Sequence, residues 1–511
     1  MIKPTASAHA LRPSNHNSFV VRFLLSAGMS IVPFEAMLSF TSQSPGLSQT
    51  LYEHLDENLL RKWYPLVIDK KCGGYFTNVS HDWRLAAEQE KMIVTQARHV
   101  WTTSKAAAFV PDAPRYDMFA RHGFLFLRDF MWDQRYGGFY QIRSREGGYS
   151  ECRGWGEEKR TYGNAFGIYA LAALYGVTHD VGALDLAKET FGWLEAHAYD
   201  PEFKGYFQFL TRQGEPFDEN SQHRSVASDI REVGFKDQNS SIHLLEAYTE
   251  LYRVWKDDTL GARLASLLEL IRDTMVTKNG YLQLFFARDW TPVSFRMTSE
   301  ATRSLNYSLD HVSFGHDYET AFLMLEASRA LGIENDTRTL TVSKQMLDHA
   351  MENGWDRDLG GFFDGGYYLE GSDRCTIVKS TKTWWPQAEA LNTLLIFSRI
   401  FPEDARYREF FEKQWEYVDT YGLDHRNGDW YEGGLDKEPS CATAPKGHMW
   451  KCSYHTGRAL MNCIALLSNE TSGESGIAKR RRELEKLVEH WKHVKCPGDE
   501  SAKTTAQARL E

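Results

Sequence analysis

One pattern recurs six times in this chain and dictates most of what it can fold into: an aspartate or asparagine, then glycine, then aromatic residues. Asp69 leads to Gly73-Gly74-Tyr75-Phe76, Asp133 to Gly137-Gly138-Phe139-Tyr140, and Asp200 to Gly205-Tyr206-Phe207. A shorter copy runs Asn279-Gly280-Tyr281. Asp356 then leads to Gly360-Gly361-Phe362-Phe363, and Asp424 to Gly428-Asp429-Trp430-Tyr431. The copies stand roughly 65 to 80 residues apart, long for a simple solenoid unit and right for two helices plus a long loop. Glycine admits the positive-φ backbone of a tight turn into a short strand, and the aromatics can pack that turn against neighbouring helices.

Helical periodicity fills the spaces between the turns. It predicts helices over 51–63, 95–110, 115–131, 162–175, 183–197, 240–254, 260–275, 316–330, 340–351, 385–401, 405–421 and 454–467. One member of each pair is rich in Ala, Leu and aromatics, as over 167–174, and reads as buried on most faces. The other is more amphipathic. Six inner and six outer helices are the plan of an all-α (α/α)6 barrel, with short β-hairpins in the loops and a cleft at the centre of the loop end. An open helical array is the alternative, and a fixed number of six copies favours closure.

The expected organisation is an N-terminal extension over 1–48, a barrel domain over 49–469 and a charged helix and tail over 470–511. The run Lys479-Arg480-Arg481-Arg482 opens that last helix, which is expected to be solvated. Residues 23–32 are apolar and follow Arg12 and Arg22, as in a signal peptide, but no small-residue cleavage site comes after them. The formal net charge of -10 argues against a nucleic-acid partner. The seven cysteines are scattered, with no Cys-x-x-Cys pair or Cys/His cluster. Neither a disulfide framework nor a zinc site is expected, and a cytoplasmic location is. No apolar run is long enough to span a membrane.

Polar and aromatic groups gather where the inner helices begin. They are Gln96, Arg98 and Trp101; Tyr162 and Asn164; Asn239, His243 and Glu246; His316, Asp317 and Glu319; Trp384, Trp385, Gln387 and Glu389; then Trp450, Tyr454, His455 and Arg458. Six such sets at equivalent positions should converge on one axis. Three histidines with carboxylates and an arginine suit general acid–base work near neutral pH. Histidines on opposite walls could remove a proton from one face of a carbon and return it to the other. Glu246, Glu319 and Glu389 also leave open a two-carboxylate glycosidase. A sugar-binding role without catalysis is a further alternative.

The segments Gln-Ala-Arg-His-Val-Trp (96–101), Tyr-Gly-Asn-Ala-Phe (162–166), Asn-Ser-Ser-Ile-His-Leu-Leu-Glu-Ala (239–247), Gly-His-Asp-Tyr-Glu (315–319), Trp-Trp-Pro-Gln-Ala-Glu-Ala (384–390) and Trp-Lys-Cys-Ser-Tyr-His-Thr-Gly-Arg-Ala (450–459) occur in this order. Together they resemble the N-acylglucosamine 2-epimerase superfamily, and within it the cellobiose 2-epimerases, over roughly residues 51–467. The resemblance implies an (α/α)6 barrel and a cofactor-free, metal-free epimerisation at C2 of a mono- or disaccharide, through a cis-enediolate. It implies His316 and His455 as the acid–base pair, with His243 assisting ring opening or orienting substrate. Arg98 would lie near the carbonyl oxygen. Glu319 and Glu389 would orient histidines or sugar hydroxyls, Trp385 would stack on sugar, and Tyr162, Asn239 and Glu246 would complete the contacts. An aldose–ketose isomerase would share the enediolate, and a monomer or homodimer is expected. Phe322 stands where cellobiose epimerases usually carry tryptophan.

Overall fold

The computed structural model describes residues 45–217, 231–468 and 475–495. The signal-like segment and the end of the C-terminal tail lie outside them, as does Cys496. The six described cysteines are free thiols. The chain is mostly helical, in repeated pairs. It opens with α1 (Pro45–Glu53), a π-helical stretch and α2 (Arg61–Trp63), followed by the pairs α3 (Ile93–Phe109) and α4 (Ala113–Phe126), and α5 (Thr161–Thr178) and α6 (Val181–His197). Then come α7 (Gln238–Val254) and α8 (Asp258–Leu270), an unpaired α9 (Glu300–Asp310), α10 (Phe314–Leu331) and α11 (Thr337–Asn353). The series ends with α12 (Trp384–Ile400), α13 (Ala405–Tyr417), α14 (Tyr454–Leu467) and α15 (Gly476–Lys492). No helix among the described residues is long and apolar enough to cross a membrane.

The inner helices α3, α5, α7, α10, α12 and α14 are buried over nearly their whole length. Each packs on the next in this order, and α14 also packs on α3. Burial on every face explains their composition: a helix with no wet side has little amphipathic stripe to show.

Four of the six inner helices, α3, α5, α7 and α10, begin directly behind a two-residue strand. These strands pair antiparallel with the next repeat's loop: β1 (Lys91–Met92) with β2 (Ile142–Arg143), β3 (Lys159–Arg160) with β4 (Phe209–Leu210), and β5 (Lys236–Asp237) with β6 (Phe285–Phe286). β7 (Val312–Ser313) joins β8 (Gly365–Tyr368) and β9 (Cys375–Lys379) in a three-stranded sheet. Only β8–β9 is a hairpin among these named strands; the other pairs reach across a whole helical unit. The Gly–aromatic turns themselves close with single bridges, such as Ile68 with Tyr75 and Trp132 with Phe139.

A buried lysine ahead of five of the six inner helices ties that segment to its turn. Lys91 lies 3.1 Å from Asp69, Lys159 3.2 Å from Asp133, Lys236 2.9 Å from Asp200, Lys382 2.9 Å from Asp356, and Lys446 2.8 Å from Asp424. The lysine also donates to a carbonyl of the turn, as from Lys91 to Gly73 and Lys382 to Gly360. These aspartates are therefore ion-paired inside the protein, and their turns cannot shift without leaving a buried charge alone. The copy at Asn279 has no aspartate to pair and is the degenerate one.

Four head groups expected to face the axis face these turns instead. Gln96 accepts from Tyr75 N at 2.8 Å and donates to Tyr75 O at 2.8 Å. Asn164 accepts from Phe139 N at 2.7 Å, Asp317 from Leu282 N at 2.9 Å, and Gln387 from Phe362 N at 3.0 Å. Gly74, at φ +64°, shows why glycine is needed: a Cβ there would meet Gln96 Oε1 at 2.6 Å.

The expectation of a solvated C-terminal helix fails. α15 packs on α3, α10, α12 and α14, and buries Leu484, Leu487, Val488 and Trp491. Those positions form an i, i+3, i+4, i+7 stripe. The apolar stripe, not the basic run, decides where the helix lies.

Candidate active site

A cavity of about 210 Å³ opens at the N-terminal ends of the inner helices. Its walls are Arg98, Tyr162, Asn239, His243, His316, Glu319, Trp384, Trp385, Trp450 and His455. The expected site residues Arg98, Tyr162, Asn239, His243, His316, Glu319, Trp385 and His455 thus meet around one space. They sit in the first two turns of α3, α5, α7, α10, α12 and α14, so helix starts do the positioning. The aligned peptide dipoles leave positive potential at such ends, which favours negative charge developing in the cavity.

Glu246 and Glu389 do not line the cavity; they stand behind its histidines. His243 Nδ1 lies 3.0 Å from Glu246 Oε2, and His455 Nδ1 lies 2.7 Å from Glu389 Oε1. His316 Nδ1 bonds Ser313 Oγ at 2.7 Å. Each bond holds one ring nitrogen and leaves Nε2 for other work. The Trp385 ring lies between two of them, with its centroid 4.8 Å from that of His316 and 5.6 Å from that of His455. Arg98 donates to Tyr162 Oη at 3.2 Å and to Trp450 O at 3.1 Å, and lies 4.5 Å over the Phe166 ring. Asn239 Oδ1 is buried with no hydrogen-bond partner, an acceptor without its donor.

Arg458 is a head group to which the sequence alone gives no role. It lies three residues after His455 and is 3 % exposed. It donates to Glu246, to Glu319 at 2.5 Å and to Glu389 at 2.7 Å. Tyr454 Oη adds a bond to Glu246 at 2.8 Å. One guanidinium thus serves three buried carboxylates. Trp384 and Trp450 were likewise noted as head groups and not assigned; both line the cavity.

Electrostatics divide these groups. Burial pushes His316 down to about 3, helped by His243 and His311. His455 falls well below the ordinary imidazole value, through burial and then the charges of Arg98 and Arg458. Burial pushes Glu246 up, but Arg458 and His243 outweigh it and hold the group at about 2. Burial and the neighbouring Glu389 push Glu319 up to about 7 against the pull of Arg458. Glu389 rises to about 6, from burial again opposed by Arg458. Glu319, Glu389 and His455 bring ligand-type atoms within 4.8 Å of one another. Arg458 already donates to both carboxylates, so a guanidinium stands where a metal would supply charge.

The N-acylglucosamine 2-epimerase (GlcNAc 2-epimerase) family profile matches residues 74–459. A cellobiose 2-epimerase from Bacteroides fragilis is 29% identical over 428 residues, spanning 82% of this chain and 98% of that protein. The solved structure of a cellobiose 2-epimerase from Bacillus thermoamylovorans superposes with a TM-score of 0.70 at 26% identity, over 82% of this chain and 99% of that one. A D-mannose isomerase structure gives 0.68 at 20% identity, covering 81% and 97%, a likeness of fold.

Proposed function

The chain belongs to the N-acylglucosamine 2-epimerase family, and from that premise we propose that it inverts C2 at the reducing end of a mono- or disaccharide. The observation that carries this reading is the meeting of His243, His316 and His455 with Arg98 around one cavity. The six inner helices, with α4, α6, α8, α11, α13 and the α1–α2 segment outside them, then form an (α/α)6 barrel, a reading supported by the packing of α14 on α3 and on α1.

His243, backed by Glu246, assists opening of the sugar ring. The open-chain carbonyl oxygen lies against Arg98, whose charge and the nearby helix starts stabilise the enediolate oxygen. His316 and His455 take opposite faces of C2, one removing the proton and the other returning one. Burial keeps both imidazoles neutral and so able to accept a proton. The returning proton needs a store. Near neutral pH the Glu319–Glu389 pair holds one, and Glu389 bonds directly to His455 Nδ1. Glu389 passes its proton to His455 Nδ1 as His455 Nε2 gives its own to C2, so His455 stays neutral and Glu389 ends as the carboxylate. Trp385 and Trp450 offer aromatic faces to the sugar. Tyr162 and Asn239 contact the reacting end. These steps call for proton transfer alone and for no cofactor.

Cellobiose is the first sugar to test, because the named relatives are cellobiose 2-epimerases. Phe322, the departure from their pattern, is 1 % exposed and is not among the cavity-lining residues. Its effect on sugar choice would therefore be indirect. The test is incubation in deuterated water with cellobiose, mannobiose, glucose, mannose and N-acetylmannosamine, followed by NMR. A 2-epimer deuterated at C2 is expected from one of them, with turnover lost in His316→Ala and His455→Ala. A ketose product would make the enzyme an isomerase of the same superfamily. Recovery of every sugar unchanged would overturn the reading.

A further inference from the structure

The far ends of the inner helices enclose a second cavity, larger than the first at about 380 Å³. Its floor is apolar: Trp101, Phe109, Ala173, Val177, Val254 and Met461. The first turns of α15 form one wall, with Lys479, Arg480 and Glu483. α15 starts so close to the end of α3 that a Cβ on Gly476 would meet Ala108 O at 2.1 Å.

The charges around this space do not balance. Three carboxylates line it, and each has a cation: Glu250 with Lys105 and Arg253, Glu326 with Arg253 at 3.2 Å, and Glu483 with Arg480 at 2.9 Å. Arg329 and Lys479 also line it, and neither side chain has a hydrogen-bond or ion-pair partner among the described residues. Cations at helix C-termini are common because the dipole favours them. Two of them left without a partner around one apolar-floored space call for an acceptor-rich negative group.

We propose that this cavity is a binding site for a small organic anion, a phosphate or carboxylate carried on an apolar body. The anion would sit toward Arg329 and Lys479 and the body over the aromatic floor. Binding at this end is independent of which sugar reacts at the other.

The test is calorimetric titration of the full-length chain with phenyl phosphate, inorganic phosphate and phenol, with melting temperature as a second readout. Phenyl phosphate should bind once per chain, more tightly than inorganic phosphate, and phenol should not bind. Arg329→Gln and Lys479→Gln should each weaken phenyl phosphate about tenfold, the scale of one charge-assisted contact. Lys479 is exposed, so its variant leaves the fold intact and serves as the control for Arg329. His316→Ala, at the sugar cavity, should not change the affinity. Absence of binding at concentrations on the order of 10 mM, binding that survives both cation variants, or binding lost in His316→Ala, would overturn the proposal.

Discussion

Inner and outer helices begin in different ways. The outer helices α6, α8, α11 and α13 are capped by their own preceding aspartates: Asp180, Asp257, Asp336 and Asp404 each accept from a backbone N–H of the first turn. The inner helices α3, α5, α10, α12 and α14 have no side-chain cap. Loops from the following repeat do that work for most of them. Ile93 N bonds Gln141 O, Thr161 N bonds Gln208 O, and Trp384 N bonds Glu432 O. The inner α7 has both, since Asp237 accepts from Ser240 N at 2.9 Å and Gln238 N bonds Leu284 O, and the outer α4 has no side-chain cap. Most outer helices are thus fixed locally and most inner helices by long-range pairing. The candidate site rests mainly on the second kind. Its precision depends on the lysine-tied turns and on Arg458 as much as on its own residues.

The largest expected effect comes from removing the shared cation. Arg458→Met leaves Glu246, Glu319 and Glu389 buried without it, and loss of one partner from such a cluster costs about 3–5 kcal/mol. The sign with pH follows. Without the guanidinium Glu319 and Glu389, already above the unfolded value of about 4.3, rise further, and Glu246 loses the main charge that holds it below that value. The native state then binds more protons than the unfolded one, and stability falls as pH rises above that value. Urea unfolding at pH 5 and pH 8 should show the greater deficit at pH 8. An equal deficit at both would mean that Arg458 acts through packing.

Next comes a tie between strand and turn. Lys382 stands two residues before α12 and bridges Asp356 to Asp436, the latter at 2.7 Å. Lys437 also reaches Asp356 at 3.0 Å, but among the described residues Asp436 has no other ion pair. Lys382→Met should cost about 3 kcal/mol. It should also lower turnover, because α12 carries Trp385 and Glu389. Full activity in a destabilised variant would break the link between head fixation and site.

This contrast also explains what the sequence made legible. The six turns and the twelve helices were readable because glycine, aromatics and periodicity are local signals. The site residues were readable because they fall at equivalent helix starts. The lysines were not, since a lone lysine before a helix looks like surface until its aspartate, 22 to 36 residues back, is placed beside it. Gln96, Asn164, Asp317 and Gln387 looked like site residues for the same reason: helix position shows which turn a side chain is on, not which way it faces. The stripe of Leu484, Leu487, Val488 and Trp491 was in plain view, but the charge run beside it drew the reading toward solvent.

A smaller effect is expected in the pH dependence. With both histidines held below the ordinary imidazole value of about 6.5, the acid limb of kcat/KM should fall below that pH. The raised Glu319, at about 7, should set the alkaline limb, because its proton is lost above that value. Glu319→Gln should move the alkaline limb and leave the acid limb in place. An acid limb at or above 6.5 would mean that the histidines are not held neutral.

The smallest effect should come from a local cap, and it tests the other half of the contrast. Asp257 accepts from Leu260 N at 3.0 Å at the start of α8. Asp257→Ala removes that bond and exposes one donor to water, at a cost of about 0.5–2 kcal/mol. Nothing in α8 lines the candidate site, and the head of α7 is held by its own strand, β5 on β6. The variant should therefore melt earlier while its kcat and KM stay at the parent values. A change in kcat as large as that of Lys382→Met would show that outer caps also position the inner helix starts, and the division between local and long-range fixation would fail.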